Sequence, residues 1–235
     1  MMPYMYDSLY LLFMIPGLVL GFLTSLYVKS TFNRFSQVAS RRGLTGAAAA
    51  EAMLRSAGIY DVRIEHISGF LSDHYDPSSK TLRLSDSVYG SYSLSAVGVA
   101  CHEAGHALQH ATGYTWLGLR SALVPIVNLG SKLWFYVCLL GYIIQSLAVV
   151  KFGVLVFGAA ALFSIVTLPV EWNASARAKR VMVSAGILDR DEEASAGSVL
   201  NAAFLTYVAG AISSLMTLLY FLVRSGLLGG GRRRN

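Results

Sequence analysis

Charge is what this 235-residue chain has least of: Asp, Glu, Lys and Arg together make up only 14% of it. Water-soluble domains carry about 25%. Here 54% of the residues are hydrophobic and the mean hydropathy is +0.53, which excludes a disordered chain and an ordinary soluble enzyme. Cysteine is nearly missing as well. Two thiols, Cys101 and Cys138, are too few for a disulfide framework and lie in unlike surroundings, so no bridge between them is expected. Acidic residues are outnumbered, 13 against 19 Lys and Arg, giving a net charge of +6. In so apolar a chain that excess reports topology and contact with anionic lipid, not nucleic acid. No internal repeat stands out. The expected class is a mainly α integral membrane protein.

The apolar runs predict about four transmembrane helices. Ser8 to Val28 has no charge and is long enough to cross roughly 30 Å of hydrocarbon. No basic residue precedes it and no small-x-small cleavage site follows, so residues 1–28 are expected to be an uncleaved anchor. Lys29, Arg34, Arg41 and Arg42 come next and put its C-terminal end in the cytoplasm. Residues 29–120 form a water-facing region. Residues 121–170 read as a helical hairpin, with Ser121 to Val150 and Phe152 to Val170 joined by a tight turn at Lys151. A polar helix over 171–201 and a last span with a basic tail over 202–235 complete the order. Both termini would then lie outside, so Arg232, Arg233 and Arg234 run against the positive-inside rule. Small residues at Gly158–Ala161 and at Gly210 and Ala211 would allow close helix packing.

Within 29–120, Leu44 to Gly58 predicts a helix with Thr45 as its cap and Gly58 just past its end. Two short runs then alternate with a period of two, Val62 to Glu65 and Thr81 to Ser85, and predict a strand pair. The intervening Asp73, His74, Tyr75, Asp76 and Pro77 read as a turn. A helix is expected from about Ser93 to Ala111.

That helix carries Cys101-His102-Glu103-Ala104-Gly105-His106. Histidines four apart stand on one helical face, a turn apart, and can share a metal ion. Glu103 sits beside that ion without binding it and can take a proton from its water, the HExxH arrangement of zinc proteases. Five histidines and six glutamates in the whole chain make a chance match rare. Two imidazoles and a carboxylate on an alanine-rich helix would be expensive to bury without partners. His110 lies too far along a straight helix to be a third ligand and is expected to act from behind the ligands or at the surface.

Catalytic zinc takes a third protein ligand and keeps a fourth place for water. Glu171 is the candidate. It follows Pro169 and Val170 at the end of an apolar run, where an unpaired carboxylate is costly. One zinc ion per chain is expected.

Four stretches, DHYDPSSKTLRLS (Asp73 to Ser85), VGVACHEAGHALQH (Val97 to His110), LRSALVPIVNLGS (Leu119 to Ser131) and PVEWNASARA (Pro169 to Ala178), resemble the YugP-type bacterial membrane zinc metallopeptidases. The resemblance implies a neutral zinc peptidase of the bacterial plasma membrane, multi-pass, with a small α+β zincin-like cytoplasmic region carrying the HExxH helix. More distantly, Glu171-Trp172-Asn173-Ala174-Ser175 is similar to the E-x-x-A-D signature of HtpX and CaaX proteases. That likeness implies Glu171 as third zinc ligand. Ser175 stands where the signature has an aspartate, so a carboxylate behind a ligand histidine is not carried over. His74, Tyr75 and Arg177 are candidate oxyanion donors, and Asn173, Ser175 and His110 candidates for contacts behind the metal or to substrate. Thr81 to Ser85 would be the edge strand that pairs with substrate backbone.

The expected function is a membrane-embedded zinc endopeptidase with Glu103 as general base, acting on peptides or membrane proteins at the cytoplasmic face. A partner membrane protein or homo-oligomerisation is compatible with the sequence. The alternative is a non-catalytic membrane scaffold in which zinc only ties helices together; Glu103 argues against it, since a structural site has no use for that carboxylate.

Overall fold

A computed structural model describes residues 8–228; the tail arginines at 232–234 lie outside them. The described elements are α1 (Ser8–Ser36), α2 (Gly46–Ser56), β1 (Arg63–Ile67), β2 (His74–Asp76), β3 (Thr81–Ser85), α3 (Leu94–Ala111), α4 (Thr115–Ile143), α5 (Leu147–Ser184) and α6 (Arg190–Arg224). Four of them, α1, α4, α5 and α6, are long and apolar enough to cross a membrane. The chain is thus mainly helical with a small three-stranded sheet.

The helices are longer than the apolar runs that predicted them. α1 continues eight residues past Val28. α5 runs unbroken through Pro169 and Glu171 to Ser184, so Glu171 is inside a helix and not at its end. α6 joins the polar stretch after Asp189 to the last apolar run. Hydropathy changes along these helices, but backbone hydrogen bonding continues, because an α-helix does not need an apolar surface to propagate. The α4–α5 turn comes earlier than expected, at 144–146, and Lys151 is helical. Gln145 takes a positive φ of 54° and Ser146 N–H donates to the Gly141 carbonyl at 2.8 Å.

The chain divides into two compact units. One comprises, of the described residues, 8–23, 119–168 and 207–228. Its close contacts fall at glycines other than the expected ones. A Cβ on Gly153 would stand 2.5 Å from Cys138 Sγ, whereas one on Gly210 would meet nothing within 4 Å. Trp134 ties this unit together by rings, 4.8 Å from Phe157 and 5.4 Å from Phe221 between centroids.

The other unit comprises 24–118 and 169–206. Its core gathers Met53 and Leu54 of α2, Leu82 and Leu84 of β3, Val97 and Ala100 of α3, Met182 of α5, Ile187 of the α5–α6 connection, and Val199 and Leu200 of α6. Thr45 caps α2 by accepting from Ala48 N–H at 3.2 Å, and Gly58 follows in a left-handed conformation. The sheet differs from the expected strand pair. Its order is β1-β3-β2, with β1 parallel and β2 antiparallel to β3. Part of the expected turn is therefore strand: His74 pairs with Arg83 and Tyr75 with Leu82. The turn itself is narrower, closed where Asp76 accepts from the Ser78 and Ser79 hydroxyls at 2.6 and 2.7 Å. β3 is consequently the central strand, not an edge, and all its residues except the half-buried Arg83 are buried.

Candidate metal centre

α3 begins where Ser93 accepts from Ala96 N–H at 3.3 Å, and it is buried along most of its length. Small residues make that burial feasible. A Cβ on Gly105 would stand 2.6 Å from the Ala174 carbonyl oxygen, so α3 and α5 touch backbone to backbone beside the histidines.

That close approach brings His102, His106 and Glu171 together, each offering one ligand atom, all within 4.8 Å of one another. His102 Nε2 is 3.1 Å and His106 Nε2 3.6 Å from the same Glu171 Oε2. Two atoms each about 2.1 Å from a tetrahedral zinc would be about 3.4 Å apart, so these edges fit the ion. The rings meet nearly at right angles, 87°, with centroids 4.8 Å apart.

The hydrogen bonds behind the rings fit it too. Gln109, fully buried, donates through Nε2 to the Val170 carbonyl at 2.8 Å and to Asn173 Oδ1 at 3.1 Å. Both amide hydrogens are thereby committed, and Oε1 faces His106 Nδ1 at 3.0 Å. Nδ1 carries a proton toward that oxygen, and in the neutral ring Nε2 then presents a lone pair on the side of the Glu171 oxygen. A cation is what such a set of lone pairs accommodates. Arg177 extends the chain by donating from Nε to Asn173 Oδ1 at 2.8 Å. His102 Nδ1 rests on Ser175 Oγ at 3.0 Å, so a hydroxyl takes the position where the distant signature has a carboxylate.

Glu103 is 9% exposed on the same helix. Burial pushes its carboxyl up to about 7; His102 opposes the shift, while Glu171 and Asp73 add to it and His74 opposes it again. Asp73 accepts from the Ser85 backbone N–H at 2.8 Å and from its hydroxyl at 3.0 Å, fixing the end of β3.

Tyr75 and His110 pair with each other instead, hydroxyl to Nδ1 at 2.9 Å. They line a separate cleft of about 360 Å³ with Asp61 and Lys80. Cys101 is buried and free, and it belongs to no group of ligands. Gln109 is the residue that reading the sequence missed. Its only signal was an amide at a position that an alanine-rich buried helix would otherwise give to an apolar side chain.

A mainly helical protein with four helices of membrane-spanning length, and with two histidines and a glutamate converging on one point, is the class these features define. Residues 10–226 match the family described as "Putative neutral zinc metallopeptidase", and the chain belongs to that family. It is 44% identical over 215 residues to the "Putative membrane protease YugP" of Bacillus subtilis (strain 168), covering 92% of this chain and 96% of the relative. No solved structure gives a significant match.

Proposed function

We propose that the chain is a zinc-dependent endopeptidase embedded in the bacterial plasma membrane, holding one zinc ion by His102, His106 and Glu171. The observation that carries this reading is the placement of Glu103, a buried carboxylate next to a ligand histidine and outside the donor set. Zinc bound there would supply a Lewis acid that polarises a scissile carbonyl and acidifies water. Glu103 would accept the water's proton and return it to the leaving amine. Gln109 and Ser175 would hold the ligand rings in register. Of the three candidate oxyanion donors, Tyr75 is engaged with His110, His74 with the Ser72 carbonyl, and Arg177 with Asn173.

The site would belong to a zincin-like region made of 29–120 and the polar part of 171–201, with 1–28, 121–170 and 202–235 as its membrane segments. Lys29, Arg34, Arg41 and Arg42 argue for the cytoplasmic face. Since β3 is central, the backbone edge beside α3 is that of β2, and substrate backbone would add there. Substrates would be peptides or membrane proteins.

The test is cleavage of a peptide library by purified wild type and Glu103→Gln, with zinc counted in both. Chelator-sensitive cleavage that is lost in the variant while one zinc per chain remains is the expected result. Equal behaviour of two zinc-loaded proteins would favour a scaffold, and absence of zinc from both would end the reading.

A further inference from the structure

The loop between β1 and β2 begins Ser68-Gly69-Phe70-Leu71-Ser72, uncharged until Asp73 closes it, and holds Phe70 54% and Leu71 36% exposed. It is firmly braced from below. Asp86 accepts from Gly69 N–H at 2.9 Å and holds His66 Nε2 at 2.6 Å, and the Ser72 hydroxyl donates to the Ser68 carbonyl at 3.4 Å. Leu71 has φ of 52°, a conformation that costs a bulky L-residue about 1 kcal/mol and suits glycine or asparagine better. A leucine kept at such a position, next to an exposed phenylalanine, is there for its side chain.

The ring of Phe70 packs edge-on against Phe32 of α1, centroids 5.6 Å apart, and Phe32 is buried. Phe32 lies four residues beyond Val28, where the apolar run of α1 ends, and so about 6 Å further along the helix axis at 1.5 Å per residue. Hydrocarbon of about 30 Å inside a bilayer of 40–45 Å leaves headgroup layers of some 5–7 Å. Residue 32 therefore falls within the headgroup layer if the run before it spans the hydrocarbon. On the same helix Leu26 and Tyr27 are half exposed on faces turned away from Phe32, so α1 itself presents apolar side chains just below this level. Lys29 and Arg34 flank it with positive charge suited to anionic headgroups.

We propose that Phe70 and Leu71 insert into the bilayer interface at the C-terminal end of the first span, making the β1–β2 loop a lipid contact of the site-bearing unit. Aromatic and aliphatic side chains at headgroup depth withdraw apolar surface from water into the interface. The loop leads directly into Asp73 and His74, so lipid would steady the entry to the metal centre and bias it toward chains emerging from the membrane. The lipid contact itself stands whether or not the site hydrolyses peptides.

The test uses full-length protein with Cys138→Ala, carrying a nitroxide at Leu71→Cys or, for comparison, at Tyr60→Cys, which is 78% exposed. Both are placed in phosphatidylcholine–phosphatidylglycerol nanodiscs and probed by power saturation with oxygen and a water-soluble nickel chelate. A several-fold higher oxygen-to-nickel ratio at 71 than at 60, reproduced by Phe70→Cys, is expected. Equal ratios would overturn the proposal by placing the loop in water. Shielding of residue 71 from both reagents would overturn it by seating the loop on protein, a second copy included.

Discussion

The two compact units use the same apolar residues in opposite ways. In the membrane-helix unit leucines and aromatics point outward: Leu12, Leu18, Phe22, Leu129 and Tyr136 are each more than half exposed. In the site-bearing unit Leu82, Leu84, Met53 and Met182 are fully buried. One unit is held by small residues that let backbones touch and leaves its large side chains for lipid. The other is built as a water-soluble domain is, around a packed core, and the buried polar groups at its centre come with partners. Glu171 is 1% exposed and faces two imidazoles, and Gln109 is fully buried with every amide atom engaged. A group of side chains that could share a metal ion needs fixed geometry, and the second kind of packing supplies it.

The sharpest way to break that contrast is to spoil the backbone contact at the centre. Gly105→Ala places a methyl 2.6 Å from the Ala174 oxygen, forcing α3 from α5, and should weaken zinc binding by more than about 100-fold, beyond the effect of losing one hydrogen bond behind a ligand. Competition against a chromophoric chelator measures it. Next comes core deletion. Leu84→Ala should destabilise the site-bearing unit by about 2–5 kcal/mol, while Leu12→Ala, facing outward in α1, should cost under about 1 kcal/mol. Denaturant titration of both in detergent decides whether the two units differ as described. Third, Gln109→Ala removes the proton acceptor of His106 Nδ1 and should cost about 10–100-fold in zinc affinity with little change in melting of the zinc-loaded protein.

The smallest effect concerns acid. The Ser78 and then the Ser79 hydroxyls hold the Asp76 carboxyl below the usual carboxylate range. A carboxylate depressed in the folded state stabilises fully above its unfolded value, near 4, and the contribution is lost as pH falls through the folded value. Asp76→Asn should therefore melt lower than wild type at pH 7, and the gap should close below about pH 4. Melting curves across pH 2–7 test the sign.

How much of this could be read from the sequence follows the same division. Uncharged runs announced four long apolar helices, because lipid constrains composition residue by residue. The i, i+4 spacing put His102 and His106 on one face, and the cost of a lone carboxylate in apolar surroundings singled out Glu171. What escaped was decided by distant contacts. A parallel β1–β3 pair brings Arg63 opposite Thr81, and nothing in a period of two distinguishes parallel from antiparallel. His74 and Tyr75 read as turn formers, yet they pair with β3. Gln109 owes its position to Val170 and Asn173, some sixty residues away. Lys151 seemed a natural turn, but a hairpin turn needs a residue able to reverse the backbone, and Gln145 does so with its positive φ.

The thiol next to the first ligand has a chemical consequence of its own. Cys101 is sealed in the core, and burial pushes its pKa up to about 12. At neutral pH almost none of it is thiolate, the form that oxidants, alkylating agents and soft metals attack. Oxidising surroundings would leave the position beside His102 unmarked, and thiol-directed inhibitors would find no handle there. Thiol modification of the folded protein therefore reports on Cys138 alone.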